Sequence, residues 1–221
     1  MPLHLTPCIL TEHSLGKTVQ TLACMVGNAP GPDDIKRNVK ATLIVVPATV
    51  MDQWLDEIRI HAKRETFPKI LKYKSSSRIP VEVLEDLDIV VTSYNEVMRQ
   101  FPFPTAEERE KFARVKGGYK KWLANAMEYM GDLHRVNWYR VVLDEAQAIK
   151  NNSARTSLAC QNLKSVYRWC LTGTPLLNRL EEYVSECRFL DCANGDQIIP
   201  LPPFSQGALQ YELADLPEVL L

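Results

Sequence analysis

Four short runs rich in aliphatic and β-branched residues constrain this 221-residue chain more than any other feature: Thr42–Pro47, Asp88–Ser93, Arg140–Asp144 and Arg168–Thr172. Three of them are near-continuous in Val, Ile or Leu, where a half-exposed strand would alternate apolar with polar residues. Strands of that kind are buried on both faces, and a parallel sheet with helices above and below is the arrangement that buries them. A weaker run, Lys69–Tyr73, reads as a fifth strand.

Helical patterns separate these runs. Lys17–Val26 reads as a helix ended by Gly27-Asn28. Thr49 is placed to cap a helix in which Val50, Trp54 and Ile58 recur at four-residue steps and share a face. Ala106–Met130 is helix-rich with a break at Gly117-Gly118, and Ser153–Leu163 and Leu180–Leu190 are further helices. Strand–helix alternation with short connections predicts a doubly wound α/β domain. Asn28–Asn38, with two prolines and Gly31, reads as a surface loop. Residues 191–221 carry four prolines and no sustained period and read as an irregular tail, leaving 1–190 as the domain.

Composition narrows the function classes. Lys plus Arg is 26 and Asp plus Glu is 27, a net charge of −1, so any nucleic-acid contact has to come from a local patch. The six cysteines include no Cys-x-x-Cys pair, which argues against a zinc module and for reduced thiols. The apolar runs are far shorter than the ~20 residues of a membrane helix, and the first residues lack the pattern of a secretory signal.

Three segments carry candidate chemistry. Leu15-Gly16-Lys17-Thr18 opens a helix, as a phosphate-binding loop does: backbone N–H groups and the helix N-terminus surround phosphate, the lysine reaches the β- and γ-phosphates, and the hydroxyl holds Mg²⁺. Gly-Lys-Thr is short enough to recur by chance, and the glycine expected five residues before Gly16 is Thr11. In Val141–Gln147, Asp144 and Glu145 follow directly on an apolar strand. At a strand's carboxyl end they face the crevice where open α/β sheets bind ligands, with Asp144 suited to Mg²⁺ and Glu145 to polarising water; a solvated turn reads equally well from these residues alone. Leu171-Thr172-Gly173-Thr174-Pro175 sets two hydroxyls and a glycine turn after another strand.

Taken in order, these segments resemble the first RecA-like lobe of the Swi/Snf-type helicase-like ATPases, which translocate on double-stranded DNA. The resemblance covers roughly Cys8 to Leu190. Leu15–Thr18 matches the family's motif I. Val45-Val46-Pro47 with Gln53-Trp54 and Glu57-Ile58 is similar to motif Ia, and Asp88–Tyr94 to motif Ib. Asp144–Gln147, continuing through Ala148-Ile149-Lys150-Asn151, matches motif II, and Arg168–Pro175 with Asn178 matches motif III. The Arg-Trp-Cys and Ile-Lys-Asn stretches are most similar to the DNA-repair branch, whose members often carry a RING insert; no RING cysteines occur in this sequence.

The resemblance implies a P-loop fold binding ATP and Mg²⁺. Leu15, Gly16, Lys17 and Thr18 would cradle phosphate, Thr18 and Asp144 hold the metal, and Glu145 activate water. Gln147, Thr172, Gly173 and Thr174 would couple nucleotide state to lobe movement. It implies contact with the backbone of double-stranded DNA, partly through Thr49 and Ser93, a second RecA-like lobe or chromatin proteins as partners, and a nuclear location. The basic run Arg109, Lys111, Arg114, Lys116, Lys120 and Lys121 either touches DNA or is a solvated helix face. His4, His13, His61 and His134 show no ligand spacing, and Trp122, Trp138 and Tyr139 read as core or hinge aromatics.

Where the family has Asp-Glu-Met-Gly-Leu-Gly-Lys-Thr, this chain reads Thr11-Glu12-His13-Ser14-Leu15-Gly16-Lys17-Thr18, so Ser14 brings a β-carbon to a bend close to phosphate, and Leu177 stands where the family favours glutamine. The arginine finger of related enzymes comes from the second lobe and is worth about 10³–10⁵ in rate in comparable phosphoryl transfers. A lone first lobe is therefore expected to bind ATP weakly and to hydrolyse it very slowly. The alternatives are a non-catalytic α/β interaction module built on the same scaffold and a small kinase-like P-loop enzyme.

Overall fold

The computed structural model describes residues 8–10, 16–115, 117–150, 154–172 and 188–190. In chain order the elements begin β1 (Cys8–Leu10), α1 (Lys17–Gly27), α2 (Pro32–Lys36), β2 (Thr42–Val46), α3 (Met51–His61) and β3 (Ile70–Lys72). Next come α4 (Val81–Glu85), β4 (Ile89–Ser93), α5 (Tyr94–Arg99), α6 (Ala106–Ala113), α7 (Gly118–Ala126) and α8 (Asp132–Arg135). The series closes with β5 (Trp138–Asp144), α9 (Arg155–Gln161) and β6 (Ser165–Thr172). The six strands form one sheet in the order β1-β6-β5-β2-β4-β3. Every pairing in it is parallel.

The apolar runs have no alternation because both faces of the sheet are covered. Leu43, Val45, Val90, Val141, Leu143 and Cys170 point to one face, where they pack with Tyr94 and Val97 of α5, Leu133 of α8 and Ala159 and Cys160 of α9. Ile44, Val46, Ile89, Val91, Val142, Trp169 and Leu171 point to the other, against Leu22 and Met25 of α1 and Trp54, Leu55 and Ile58 of α3. The register keeps like with like: Leu43 lies opposite both Val90 and Val141, and Leu143 opposite Cys170. This is the doubly wound α/β fold the sequence predicts.

Several details differ from that expectation. The Asn28–Asn38 segment contains a helix, α2. Pro32 occupies its first turn, where the missing N–H costs nothing, and the Asp34 carboxylate accepts from the Gly31 N–H at 3.1 Å. Thr49 does not cap α3: Ala48–Val50 form a 3₁₀ turn, Val50 takes the cap position, and no side chain caps the helix. β5 and β6 start earlier than the apolar runs suggest, at Trp138 and Ser165. The break between α6 and α7 falls at Gly117, whose φ of 72° is left-handed. Ser153, residues 180–187 and residues 191–221 lie outside the described residues, and 188–190 are helical.

A buried arginine fixes the far end of α1. Arg140 is 1% exposed, stacks over the Trp169 ring at 4.1 Å, donates to Thr42 Oγ1 at 3.2 Å and bonds the Asn28 carbonyl. Asn28 is the C-cap of α1, so the cation sits on the negative end of the helix dipole. Burial lowers the Arg140 pKa to about 10, which leaves it charged at neutral pH. The other end of α1 begins with Lys17. Among the described residues no helix is long and apolar enough to cross a membrane.

Candidate active site

The topology decides which residues meet. β6 lies between β1 and β5, so the carboxyl end of β6 stands between those of β1 and β5. Leu10 registers with Thr172, and Asp144 with Leu171. Three strand ends thereby line one edge.

At that edge a chain of polar contacts runs across the three sequence segments. Lys17 Nζ donates to Glu145 Oε1 at 3.1 Å, with the lysine side chain 9% and the glutamate 37% exposed. Gln147 Nε2 donates to the other carboxylate oxygen, Oε2, at 2.5 Å. The Thr172 hydroxyl donates to Gln147 Oε1 at 3.3 Å. Lysine, glutamate, glutamine and threonine, drawn from three separate segments, form one connected unit.

Local backbone geometry places the two ends. Gly16, the N-cap of α1, has φ 83° and ψ 3°, a left-handed conformation that glycine adopts freely. A Cβ there would meet nothing nearer than Gln20 Nε2 at 4.0 Å, so conformation rather than space demands glycine. Gly16 has no side chain to cap α1, and the helix's first turn holds no acid, so among the described residues its N-terminus keeps its partial positive charge. Thr21 Oγ1 donates to the Lys17 carbonyl at 2.7 Å. Glu145 is itself left-handed, φ 51° and ψ 54°, which costs a non-glycine residue roughly 1–2 kcal/mol and turns its carboxylate toward Lys17.

Asp144 is 7% exposed. Burial raises its pKa from the ordinary aspartate value, against the indole N–H of Trp54 and the charge of Lys17. Trp54 Nε1 donates to Oδ2 at 2.7 Å, the Glu145 N–H donates to Oδ1 at 2.9 Å, and the Tyr94 hydroxyl donates to the Asp144 main-chain carbonyl at 2.8 Å. For Glu145, partial burial also acts upward, but Gln147 and Lys17 outweigh it and hold the carboxyl below its usual value. Glu145 is therefore an anion at neutral pH.

Of the residues singled out from sequence, the structure brings Lys17, Asp144, Glu145, Gln147 and Thr172 to one edge, with Gly16 and Thr18 at the start of α1. Leu15, Gly173 and Thr174 lie outside the described residues. Trp54 and Tyr94 were quoted within motifs Ia and Ib but given no role in the site, because each also packs in an apolar cluster. The signal for them was the buried acid itself: a carboxylate ending an apolar strand needs donors, and a buried indole or phenol needs an acceptor. Among the described residues no group of three metal-ligating side chains occurs.

The fold is RecA-like, and the chain has relatives that match it along most of its length. The chain belongs to the SNF2-related domain family, whose pattern matches residues 5–198. It is 36% identical over 181 residues to an ATP-dependent helicase of Schizosaccharomyces pombe, covering 81% of this chain and 16% of that one. It is 33% identical over 201 residues to the DNA repair protein RAD5B of Arabidopsis thaliana, covering 80% and 14%. Among solved structures it is similar to the Sulfolobus solfataricus SWI2/SNF2 ATPase core in complex with double-stranded DNA, with TM-score 0.57, 28% identity and coverage of 84% of this chain and 31% of that one. The chain thus spans under a fifth of these curated relatives.

Proposed function

We propose that this chain is the ATP-binding lobe of a DNA-dependent, helicase-like ATPase of the repair branch, with residues 1–190 as the lobe. The observation that carries the reading is the Lys17–Glu145–Gln147–Thr172 chain, which links a phosphate-type amine to a water-activating acid and then to the next strand end. The donor set fits a magnesium nucleotide: a helix N-terminus opened by glycine, a nearly buried amine beside it, and two carboxylates of different environment.

Bound magnesium-ATP supplies the electrophilic phosphorus and the leaving group. Gly16, Lys17 and Thr18, with Leu15 before them, receive phosphate at the start of α1. Lys17 would exchange Glu145 for phosphate oxygens, leaving Glu145 to take a proton from a water whose oxygen bonds the terminal phosphorus as ADP leaves, and Asp144 and Thr18 would hold the metal. Gln147 keeps contact with Glu145 and passes its position to Thr172, Gly173 and Thr174. Hydrolysis by this lobe alone is slow, because the cation that offsets transition-state charge in such reactions belongs to the facing lobe.

Double-stranded DNA is the proposed partner, met through its phosphates. Thr49 is exposed and free to reach one, whereas Ser93 is 6% exposed and caps α5 by accepting from the Glu96 N–H at 3.4 Å. Arg109, Lys111, Arg114 and Lys121 are exposed on α6, α7 and the turn between them. Arg114 lies 3.9 Å from Glu110, and α6 adds Glu107 and Glu108, so this face is mixed in charge and a weaker candidate. A nuclear location and partnership with a second lobe or chromatin proteins follow from the same reading.

The test is binding of a fluorescent ATP analogue with Mg²⁺ to the 221-residue chain and to Lys17→Ala. Equal affinity rejects the site. The second reading, a scaffold without nucleotide, is favoured by one observation: Lys17 and Glu145 already satisfy each other. Melting with and without Mg-ATP separates the two, since ligand at 100 times its Kd adds about 2.7 kcal/mol. No shift at millimolar ATP supports the scaffold.

A further inference from the structure

Asp144 is gripped from both faces of the sheet by residues outside its own strand. Trp54 belongs to the apolar cluster on one face and Tyr94 to the cluster on the other, and both reach over the sheet edge to the same residue. Both are buried, at 3% and 7% exposure. A phenylalanine at position 94 would fill nearly the same apolar volume, so packing alone does not call for an O–H there, and at position 54 apolar packing uses the indole rings rather than their N–H.

The contacts divide the work. Trp54 Nε1–H fixes one carboxylate oxygen at 2.7 Å, leaving that oxygen a second lone pair directed elsewhere. The Tyr94 hydroxyl fixes the Asp144 carbonyl at 2.8 Å, and Asp144 Oδ1 fixes the Glu145 N–H at 2.9 Å. Both polar groups of the 144–145 peptide are therefore tied down, at the point where the backbone turns left-handed and aims Glu145 at Lys17.

We propose that Trp54 and Tyr94 are positioning residues for the acid pair, Trp54 setting the plane of the Asp144 carboxylate toward the metal and Tyr94 locking the peptide that directs Glu145. The inference rests on the nucleotide site proposed above. Both donors, the Trp54 indole and the Tyr94 phenol, are neutral, so the hydrogen bonds that orient Asp144 leave its charge in place. The grip also makes Asp144 the meeting point of α3 and α5, so a displacement of either helix moves the acid pair.

The test compares the unaltered 221-residue chain with Trp54→Phe and Tyr94→Phe, using N-methylanthraniloyl-ATP, a Mg²⁺ titration and an EDTA control. The expected result for Trp54→Phe is a rise of roughly tenfold in the Mg²⁺ concentration for half-maximal binding, the size of one lost hydrogen bond to a charged group, with metal-free affinity within about twofold of the parent. Tyr94→Phe, which removes one oxygen atom, is expected to fold even where Trp54→Phe does not, and to shift the same titration about threefold. On the unaltered chain, the indole N–H resonance of Trp54 is expected to move when Mg²⁺ is added with the analogue and to stay when the analogue is added in EDTA. Parent-like Mg²⁺ dependence in the folded variants, or equal loss with and without Mg²⁺ as a merely structural role gives, overturns the positioning role alone. A parent chain that binds no analogue under either condition overturns the nucleotide reading and this inference with it.

Discussion

Lys17 and Glu145 are separated by 128 positions in the chain and form a 3.1 Å ion pair at the carboxyl edge of the sheet. The amine comes from the start of α1 and the acid from the residue after β5. In this state the group proposed to bind phosphate and the group proposed to activate water neutralise each other. In the proposed site, nucleotide binding competes with this pair for Lys17.

Glu145→Gln tests that competition. Removing the charge releases Lys17 at little cost to the fold, since the glutamate is about one-third exposed. The variant is expected to bind the ATP analogue about fivefold more tightly than the parent, equivalent to about 1 kcal/mol for a partly exposed pair. Fluorescence titration in Mg²⁺ checks it, and weaker binding in the variant contradicts it.

Gly131→Ala tests the packing of α8 against the end of α5. A Cβ at Gly131 would stand 2.6 Å from the Cβ, Cγ and Oε1 atoms of Gln100, too close for real atoms. Gln100 in turn donates to the Tyr73 hydroxyl at 2.7 Å and accepts from the Leu133 N–H at 2.9 Å, tying α8 to the end of β3. The substitution is expected to destabilise by about 1–3 kcal/mol in denaturant unfolding. Gly27→Ala, where no atom lies within 4 Å, serves as the control without a clash and is expected not to destabilise.

His134 sets a pH dependence of stability. It is fully buried beneath α9, with Nε2 donating to the Ala159 carbonyl at 3.1 Å. Burial lowers its pKa from 6.5 to about 4, against the Ala159 hydrogen bond. Below pH 6.5 the unfolded chain takes up a proton that the folded chain refuses until about pH 4. Stability is therefore fully present above pH 6.5 and falls as pH drops toward 4, by on the order of 3 kcal/mol. Denaturant midpoints across that window check it, and His134→Gln is expected to flatten the slope.

The sequence disclosed the parts of this fold that depend on continuous burial. β2, β4, β5 and β6 were legible because strands covered on two faces must be apolar at successive positions. β1 escaped because Cys8-Ile9-Leu10 is too short to show any period, and its pairing with β6 is decided by the sheet as a whole. α2 was hidden by reading Pro32 as a breaker when it stands in a first turn. At the site, Lys17, Asp144 and Glu145 were visible as charges placed beside apolar strands and a helix start. Trp54 and Tyr94 were not, since their roles lie in which atom a buried aromatic donates to, and only tertiary structure sets that.

The central claim is that Lys17 and the 144–145 acids form one magnesium-nucleotide pocket. Its most direct measurement is the Kd of the fluorescent ATP analogue, with Mg²⁺, for the parent chain and Lys17→Ala side by side. Measurable binding by the parent is expected, with a loss of at least about tenfold in the variant, the value of one charge-assisted hydrogen bond to phosphate. Indistinguishable affinities, or no binding by the parent at millimolar analogue, would contradict it.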